Sequence, residues 1–319
     1  MKKELFIYDL KKLVNERITE TFFLKSITEV VKEKAYYRVV LADKTGEINC
    51  FIWQEFIDPV YLKFEKMFVL VEGRVSEYEG RTQILIEKMA PMKEYVLEDF
   101  CPVAENIDGL KQELLTFIKK VKKPHFNALL KNIFHNEAFF NAFSKKQAGS
   151  MVHHVYIGGL LEHTLNVTNI CINTVKLYQK RNPNYFHEGF DIDLLVTAAL
   201  LHDIGKVKEY ASFPINKKTT GGRLVGHLNY GVGMVYTAIR ELDIEFPNAD
   251  IDKLLHCLVT HHGVIDGIIP PMITEAVILC RADEMDARID AFESAIAKDT
   301  SHDEFTNYNR LMDLYVYKN

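Results

Sequence analysis

The hydrophobic period changes once along this 319-residue chain, and that change limits the folds open to it. Up to about residue 95 the apolar residues come in short runs rich in β-branched and aromatic types. AYYRVVLADKTGEINCFIW breaks at the turn signal Asp43-Lys44-Thr45-Gly46, and FVLVEGRVSEYEGRTQILIEKM breaks at Glu79-Gly80. Two hairpin-like units and a leading strand near Phe22–Val31 predict about five strands. Such a set suits a small barrel, and the OB-fold is the commonest barrel of this size that binds oligonucleotides; another small barrel or a sandwich is the generic alternative. From about Asn106 the period becomes helical, in GLKQELLTFIKKV, FNALLKNIF and EAFFNAF, with Pro124 and Gly149 as punctuation. Beyond Ser150 the chain reads as successive helices. Asp193 is the expected cap of LLVTAALL, Gly205 its expected end, and Gly263 the end of DKLLHCLVTHH. The expected architecture is an α+β multidomain chain: an OB-type β-barrel over 1–98, a basic helical connector over 99–150 and an all-α domain over 151–319.

Hydrophobic residues make up 48% and charged residues 26%, so the chain can bury real cores and is not of a disordered type. No run approaches the ~18 apolar residues of a spanning helix. The opening MKKELFIYDLKKLVNERITE has no apolar leader, so the reading is a soluble, cytoplasmic protein with no membrane partner. The five cysteines form no CxxC pair and are odd in number, which argues against a disulfide framework and a cysteine zinc site. A net charge of −5 does not mark a nucleic-acid binder. Residues 111–146 differ, with eight Lys against two Glu, a local balance of +6. That stretch can hold a phosphate backbone or simply be a solvated helix face.

Nine of the twelve histidines lie between His153 and His262. Several sit inside apolar helical runs, where an imidazole needs a partner. His163 lies in GGLLEHTLNV, His202 and Asp203 in TAALLHDIGK, His227 in LVGHLNYGVG, His261 and His262 in LLHCLVTHHG, and Asp283 in VILCRADEMDARID. One such histidine alone reads as a satisfied core residue. The ordered series on successive helices reads as a metal cluster. An adjacent His-Asp pair offers one imidazole and one carboxylate that can complete a single site or bridge two ions. Mixed nitrogen and oxygen donors suit Mn²⁺, Fe²⁺, Co²⁺, Ni²⁺ or Zn²⁺ better than Ca²⁺.

This series, with LLHDIGK at its centre, resembles the HD superfamily of metal-dependent phosphohydrolases, which is a helical fold. The resemblance implies His163, His202, Asp203 and Asp283 as metal ligands. His227, His261 and His262 match the further ligand positions of its two-metal members. The GYP signature of cyclic-dinucleotide phosphodiesterases is absent. MVHHVYIGGLLEHTLNV, LLHDIGK, GHLNYG, THHG, ADEMDARID and the upstream LADKTGEINCFIW together resemble YhaM-type 3′-to-5′ exoribonucleases. That resemblance covers nearly the whole chain. It implies an OB-fold joined to an HD domain, action on single-stranded RNA and also DNA, 3′-to-5′ polarity, and one or two ions with Mn²⁺ or Co²⁺ preferred.

On that basis the expected catalytic groups are Asp203, bridging two ions, Lys206, a point charge near the phosphate, and His154. His153 and His154 line the substrate path or donate a proton to the leaving oxygen. Asp286, three residues past Asp283, orients a ligand or pairs with Arg281. Arg223, Lys217 and Lys218 precede or flank His227 and either grip a phosphate or form a plain surface loop. On the barrel, Tyr36, Tyr37, Phe51, Trp53 and Tyr78 are candidate stacking platforms, about two of them expected to face solvent. Trp53 reads as core, and Arg74 and Arg81 as phosphate partners. Two other readings stay open: a phosphohydrolase of small or cyclic nucleotides, and an inactive single-strand-binding protein. A homo-oligomer is compatible with the sequence.

Overall fold

The computed structural model describes residues 3–31, 35–149, 154–263, 269–299 and 301–318. The chain divides into two compact units, Met1–Val103 with Phe213–Ile215, and Ala104–Ser212 with Asn216–Asn319.

The first unit is a closed barrel of β1 (Arg17–Val30), β2 (Tyr36–Asp43), β3 (Gly46–Trp53), β4 (Phe68–Tyr78) and β5 (Arg81–Pro91). The strand order β1-β2-β3-β5-β4 is that of an OB-fold. β1 makes closure feasible by serving two neighbours. Its first half, Arg17–Phe23, pairs with β4, and from Phe23 onward, across an irregularity between Leu24 and Ser26, it pairs with β2. β3 meets β5 in the one parallel pairing among the described residues, Cys50↔Ile84 and Phe51↔Leu85. Alternation fills the interior with Val39, Leu41, Ile48, Cys50, Ile52, Val71, Val75 and Ile84. Gly73 lies at a register shift between β4 and β5. A Cβ there would fall 2.4 Å from the Leu85 carbonyl oxygen, so this approach requires glycine.

The interior parity corrects two readings of the aromatics. Tyr37 pairs with Ile52 and is only 2% exposed, so it is core and cannot stack a base. Trp53 pairs with Tyr36 on the opposite face and is 41% exposed, so it is not core. Tyr78 is 64% exposed, and Tyr36 and Phe51 are half-buried.

The second unit is helical: α1 (Ile107–Lys120), α2 (Pro124–Phe134), α3 (Glu137–Phe143), α4 (Gly159–Arg181), α5 (Ile192–Leu201), α6 (Lys206–Glu209), α7 (Thr220–Leu224), α8 (Gly226–Arg240), α9 (Asn248–Thr260) and α10 (Thr274–Lys298). α5 is apolar on every side and buried from Asp193 to Leu201, so it forms the axis of the unit. α1–α3 are not a separate connector here. Leu114, Phe117, Phe126, Leu129 and Phe143 share one core with α4, α5 and α9. Part of the basic charge of this stretch is spent internally. Lys123 pairs with Asp191 at 2.6 Å and Asp250 at 3.4 Å, and buried Lys146 donates to the Tyr210 carbonyl at 2.7 Å.

Asp191, not Asp193, caps α5, its Oδ1 accepting from the backbone of Asp193 and Leu194. The Asp193 carboxylate instead accepts the N–H groups of Lys122 and Lys123, tying the α1–α2 turn to α5. Gly263 ends α9 with φ +70°. Among the described residues no helix is long and apolar enough to cross a membrane.

Candidate metal centre

Each metal-binding candidate stands near a helix terminus or on the inner face of a long helix. α4 carries His163, and the turn after α5 carries His202 and Asp203. Lys206 and Glu209 follow on α6, His227 opens α8, His261 and His262 follow α9, and α10 carries Asp283 and Asp286. The apolar residues around each histidine bury these helices against one another, and the rings converge.

Asp203 lies at the centre, and its two carboxylate oxygens face different histidines. Oδ2 is 3.5 Å from His163 Nε2 and 3.4 Å from His202 Nε2. Oδ1 is 3.6 Å from both His227 Nε2 and His261 Nε2. Asp283 Oδ1 joins the first group, 3.0 Å from His163 Nε2 and 3.7 Å from His202 Nε2. Ligand atoms of Asp203, His227, His261 and His262 all lie within 4.8 Å of one another, as do those of His163, His202 and Asp203. The structure therefore brings all seven candidate ligands together in two groups that share Asp203.

The rings are oriented by their second nitrogens. Nδ1 of His202 donates to the Ala199 carbonyl at 2.8 Å, and Nδ1 of His261 to the Leu258 carbonyl at 2.7 Å. Nδ1 of His163 donates to Asp286 at 2.6 Å, and Nδ1 of His227 lies 3.2 Å from Glu209. In the neutral ring each of these contacts leaves the lone pair on Nε2, on the side of Asp203, the tautomer that a metal ligand needs. Among the described residues, Asp203 Oδ1 and the Nε2 atoms of His227 and His261 are buried without a hydrogen-bond partner. Unpartnered buried polar atoms are costly, and a divalent cation is the species whose chemistry satisfies a carboxylate and two imidazoles at once. The residues fit such an ion.

The electrostatics agree. Burial alone would raise the Asp203 carboxyl pKa, but Lys206 and the surrounding histidines hold it well below its ordinary range. Burial pushes His261 down to about 4, so this ring is neutral at physiological pH. Burial would lower His163 as well, but hydrogen bonds to Asp203, Asp283 and Asp286 raise it well above its usual value in the absence of an ion.

The remaining candidates divide. Lys206 is 5% exposed and its ammonium lies 2.5 Å from Asp203 Oδ2. Of the two readings of Asp286, the pair with Arg281 does not form: Asp286 accepts from His163 and His154, while Arg281 pairs with Glu284 at 2.7 Å. His154 is buried, with Nε2 2.8 Å from Asp286 and Nδ1 2.6 Å from the Tyr156 hydroxyl. With both ring nitrogens so engaged it braces Asp286 instead of facing a leaving group, a correction to its expected catalytic role. Its φ of +46° is held by an N–H donated to Asp290 at 2.7 Å. His153 lies outside the described residues. Lys218 pairs with Glu209 at 2.9 Å, so it supports His227 through that carboxylate, while Lys217 and Arg223 are exposed. Glu209 itself is buried and was not singled out in the sequence. Its signal was faint: a glutamate six residues after Asp203, in a helix of one turn.

Several known proteins are similar to this chain. The family model "HD domain" matches residues 160–288. The 3′-5′ exoribonuclease YhaM of Halalkalibacterium halodurans is 28% identical over 308 residues, covering 94% of this chain and 92% of that protein. The protein of the same name from Bacillus subtilis is 27% identical over 296 residues, 89% of each chain. Among solved structures, the OB domain of Ta0387 from Thermoplasma acidophilum aligns with 32% of this chain and 93% of its own, at 13% identity and a TM-score of 0.23. The chain thus carries an HD domain behind an OB-type barrel and resembles the YhaM-type 3′-to-5′ exoribonucleases over nearly its whole length.

Proposed function

We propose that this protein is a metal-dependent exonuclease that hydrolyses phosphodiester bonds of single-stranded RNA, and also DNA, from the 3′ end. The observation that carries the reading is the Asp203 carboxylate, buried, with one oxygen facing each of two histidine groups. His163, His202, Asp203 and Asp283 would hold one divalent ion, and Asp203, His227, His261 and His262 a second. Bound ions supply Lewis-acid polarisation of the phosphate and an activated water. Mn²⁺ or Co²⁺ is the proposed species, in keeping with the mixed nitrogen and oxygen donors.

The chain's own groups prepare that chemistry. Asp286 and Glu209 fix the rings of His163 and His227, and Lys218 fixes Glu209. His154 fixes Asp286. The Lys206 ammonium has three donors, of which Asp203 engages one, so it offsets negative charge where a phosphate must approach a carboxylate. Arg223 and Lys217, both exposed in the segment that precedes His227, are the proposed contacts for a following phosphate.

The barrel is the proposed strand-binding module. Tyr36, Phe51 and Trp53 form an outward aromatic patch on β2 and β3, with centroid separations of 5.5, 6.0 and 6.2 Å. The β2–β3 face and the β4–β5 loop are where OB-folds bind oligonucleotides. Tyr78 and Arg81 flank that loop, and Arg74 is exposed on β4. Stacking on such aromatics tolerates any base. The cytoplasm, where transcripts are trimmed, is the location in this reading, and a homo-oligomer is compatible with it.

A time course with Mn²⁺ on single-stranded RNA labelled at either end tests the activity. A 5′-labelled strand should yield a ladder of shortening products, and a 3′-labelled strand an immediate mononucleotide. Hydrolysis confined to free or cyclic nucleotides would replace this reading with the small-nucleotide one.

A further inference from the structure

The stripe of α8 that begins with His227 continues with Tyr230, Met234 and Thr237 at three- and four-residue spacing. Beyond His227 this stripe lines a groove of about 450 Å³, closed on its other sides by Asn132, Asn136 and Phe139 of the α2–α3 region and by Lys208 of α6. The groove starts one helical turn from a ligand of the metal centre. Its volume falls in the range of about 300–1,000 Å³ that holds small ligands.

Its lining is chemically specific. Lys208 Nζ lies 5.6 Å from the Tyr230 ring centroid, so a cation and an aromatic face stand together at one end. Lys208 follows Lys206 by two residues on the same short helix, but Lys206 is buried against Asp203 and Lys208 is exposed. One lysine therefore serves the metal centre and the next the groove. Asn132 Nδ2 donates to the Ala238 carbonyl at 3.2 Å, and Asn136 Oδ1 accepts from Phe139 N–H at 3.0 Å. Among the described residues this leaves an amide oxygen on one and an amide nitrogen on the other, a donor and acceptor pair suited to a base edge. Glu241 closes the far end and disfavours a phosphate there. Two glycines bear on the groove, Gly233 in its lining and Gly221 beside the Tyr230 hydroxyl. A Cβ at Gly221 would lie 2.2 Å from the Tyr230 hydroxyl, so glycine there lets the ring lie where it does. A Cβ at Gly233 would meet nothing within 4 Å.

We propose that this groove is a nucleotide subsite, taking the nucleotide next to the reacting phosphate, with its phosphate at Lys208, its base on Tyr230 and the base edge at Asn132 and Asn136. The proposal rests on the nuclease reading. It adds a specificity site within the helical unit itself, one turn of α8 from a ligand of the metal centre.

Gly233→Trp fills the groove from an open position without touching a metal ligand. With Mn²⁺, this variant should hydrolyse bis(p-nitrophenyl) phosphate within about twofold of the wild-type rate, while KM for a single-stranded RNA oligonucleotide rises about tenfold or more, as loss of one stacked base predicts. Oligonucleotide kinetics equal to wild type would overturn the subsite. Wild-type hydrolysis of the small ester with no cleavage of any oligonucleotide would instead overturn the nuclease reading. A second measurement needs no variant. Wild-type protein in EDTA, irradiated with an RNA oligonucleotide carrying 4-thiouridine near its 3′ end, should form an adduct on the tryptic peptide containing Tyr230. Adducts confined to other peptides would overturn the subsite even if Gly233→Trp failed to fold.

Discussion

A carboxylate with two buried oxygens, each facing a separate pair of imidazoles, can serve both groups only while it stays ionised and fixed. Asp203 is held so by Lys206 at 2.5 Å, and Asp203→Ala would leave both ligand groups incomplete. That variant should lose manganese by elemental analysis and hydrolysis to background, with oligonucleotide binding by fluorescence anisotropy largely kept. Metal-dependent turnover surviving in it would remove the cluster from the mechanism. Glu209 offers a finer test, because it faces Nδ1 of His227, the ring nitrogen turned away from Asp203. Glu209→Gln keeps an acceptor for the His227 Nδ1–H but removes its charge. Manganese affinity at the group containing His227 should fall about 10–100-fold, seen as a shift in the Mn²⁺ dependence of rate and in calorimetric binding. An unchanged titration would show that Glu209 orients nothing that matters. At this scale the sequence revealed the seven converging side chains, because histidines in apolar runs are conspicuous. Glu209 was hidden because an acidic residue at a helix end has ordinary surface meanings. Tyr37 and Trp53 were misassigned although their parity was readable: Val39 and Leu41 alternate with Tyr37, and Ile48, Cys50 and Ile52 set the inward face of β3 opposite to Trp53.

Elements bring these side chains into register, and two of their junctions are testable. Gly205 lets the turn after Asp203 press on α8: a Cβ there would lie 2.0 Å from the His227 carbonyl oxygen. Gly205→Ala must push α8 outward, with a stability cost of about 1–3 kcal/mol typical of overpacking. It should lower Tm and weaken metal binding at His227 together. A lower Tm with metal binding intact would show that α8 relaxes without moving its ligand. The second junction is pH-dependent. His256 on α9 accepts the Met272 N–H through Nε2 at 2.9 Å, which requires a neutral ring. Burial lowers its pKa from the ordinary value near 6.5. Folded below unfolded, for a base, means its contribution is full above about pH 6.5 and shrinks as pH falls below that value. Between pH 7 and 5 the metal-free wild type should therefore lose more Tm than His256→Gln. Equal slopes would assign the acid sensitivity elsewhere. Element type was legible from period alone. The sharing of one core by α1–α3 and the later helices was not, since amphipathic spacing says that a face is buried and not against what. The cap of α5 was missed for a related reason: Asp191 and Asp193 are both plausible by position, and only the backbone N–H groups of Lys122 and Lys123 claim the second.

At the scale of the whole molecule, the chain joins a unit that can do chemistry on a phosphate to a unit that can hold a strand, and the two roles can be varied separately. The barrel carries its aromatic patch on an outer face, where Trp53 is exposed and lies outside the barrel core. Trp53→Ala should therefore leave barrel stability nearly unchanged. If the patch stacks bases, single-strand affinity should fall by about 1–3 kcal/mol. Hydrolysis of bis(p-nitrophenyl) phosphate should stay at the wild-type rate, because no ligand or orienting residue is altered. Arg74→Ala and Arg81→Ala act on the other component of binding. Removing one cation that pairs with a phosphate should flatten the log–log dependence of affinity on salt by about 0.7, with little change in the stacking contribution. The measurements are binding constants at several salt concentrations for a short and a long oligonucleotide, alongside ester hydrolysis. An enzyme for small nucleotides predicts a different pattern: no preference for long strands and no effect of any barrel variant. If Trp53→Ala depressed ester hydrolysis as much as strand affinity, the barrel would be supporting the catalytic unit. Weaker binding of long strands alone, with the salt slope kept by Trp53→Ala and flattened by the arginine variants, would separate stacking from charge on one face of the barrel.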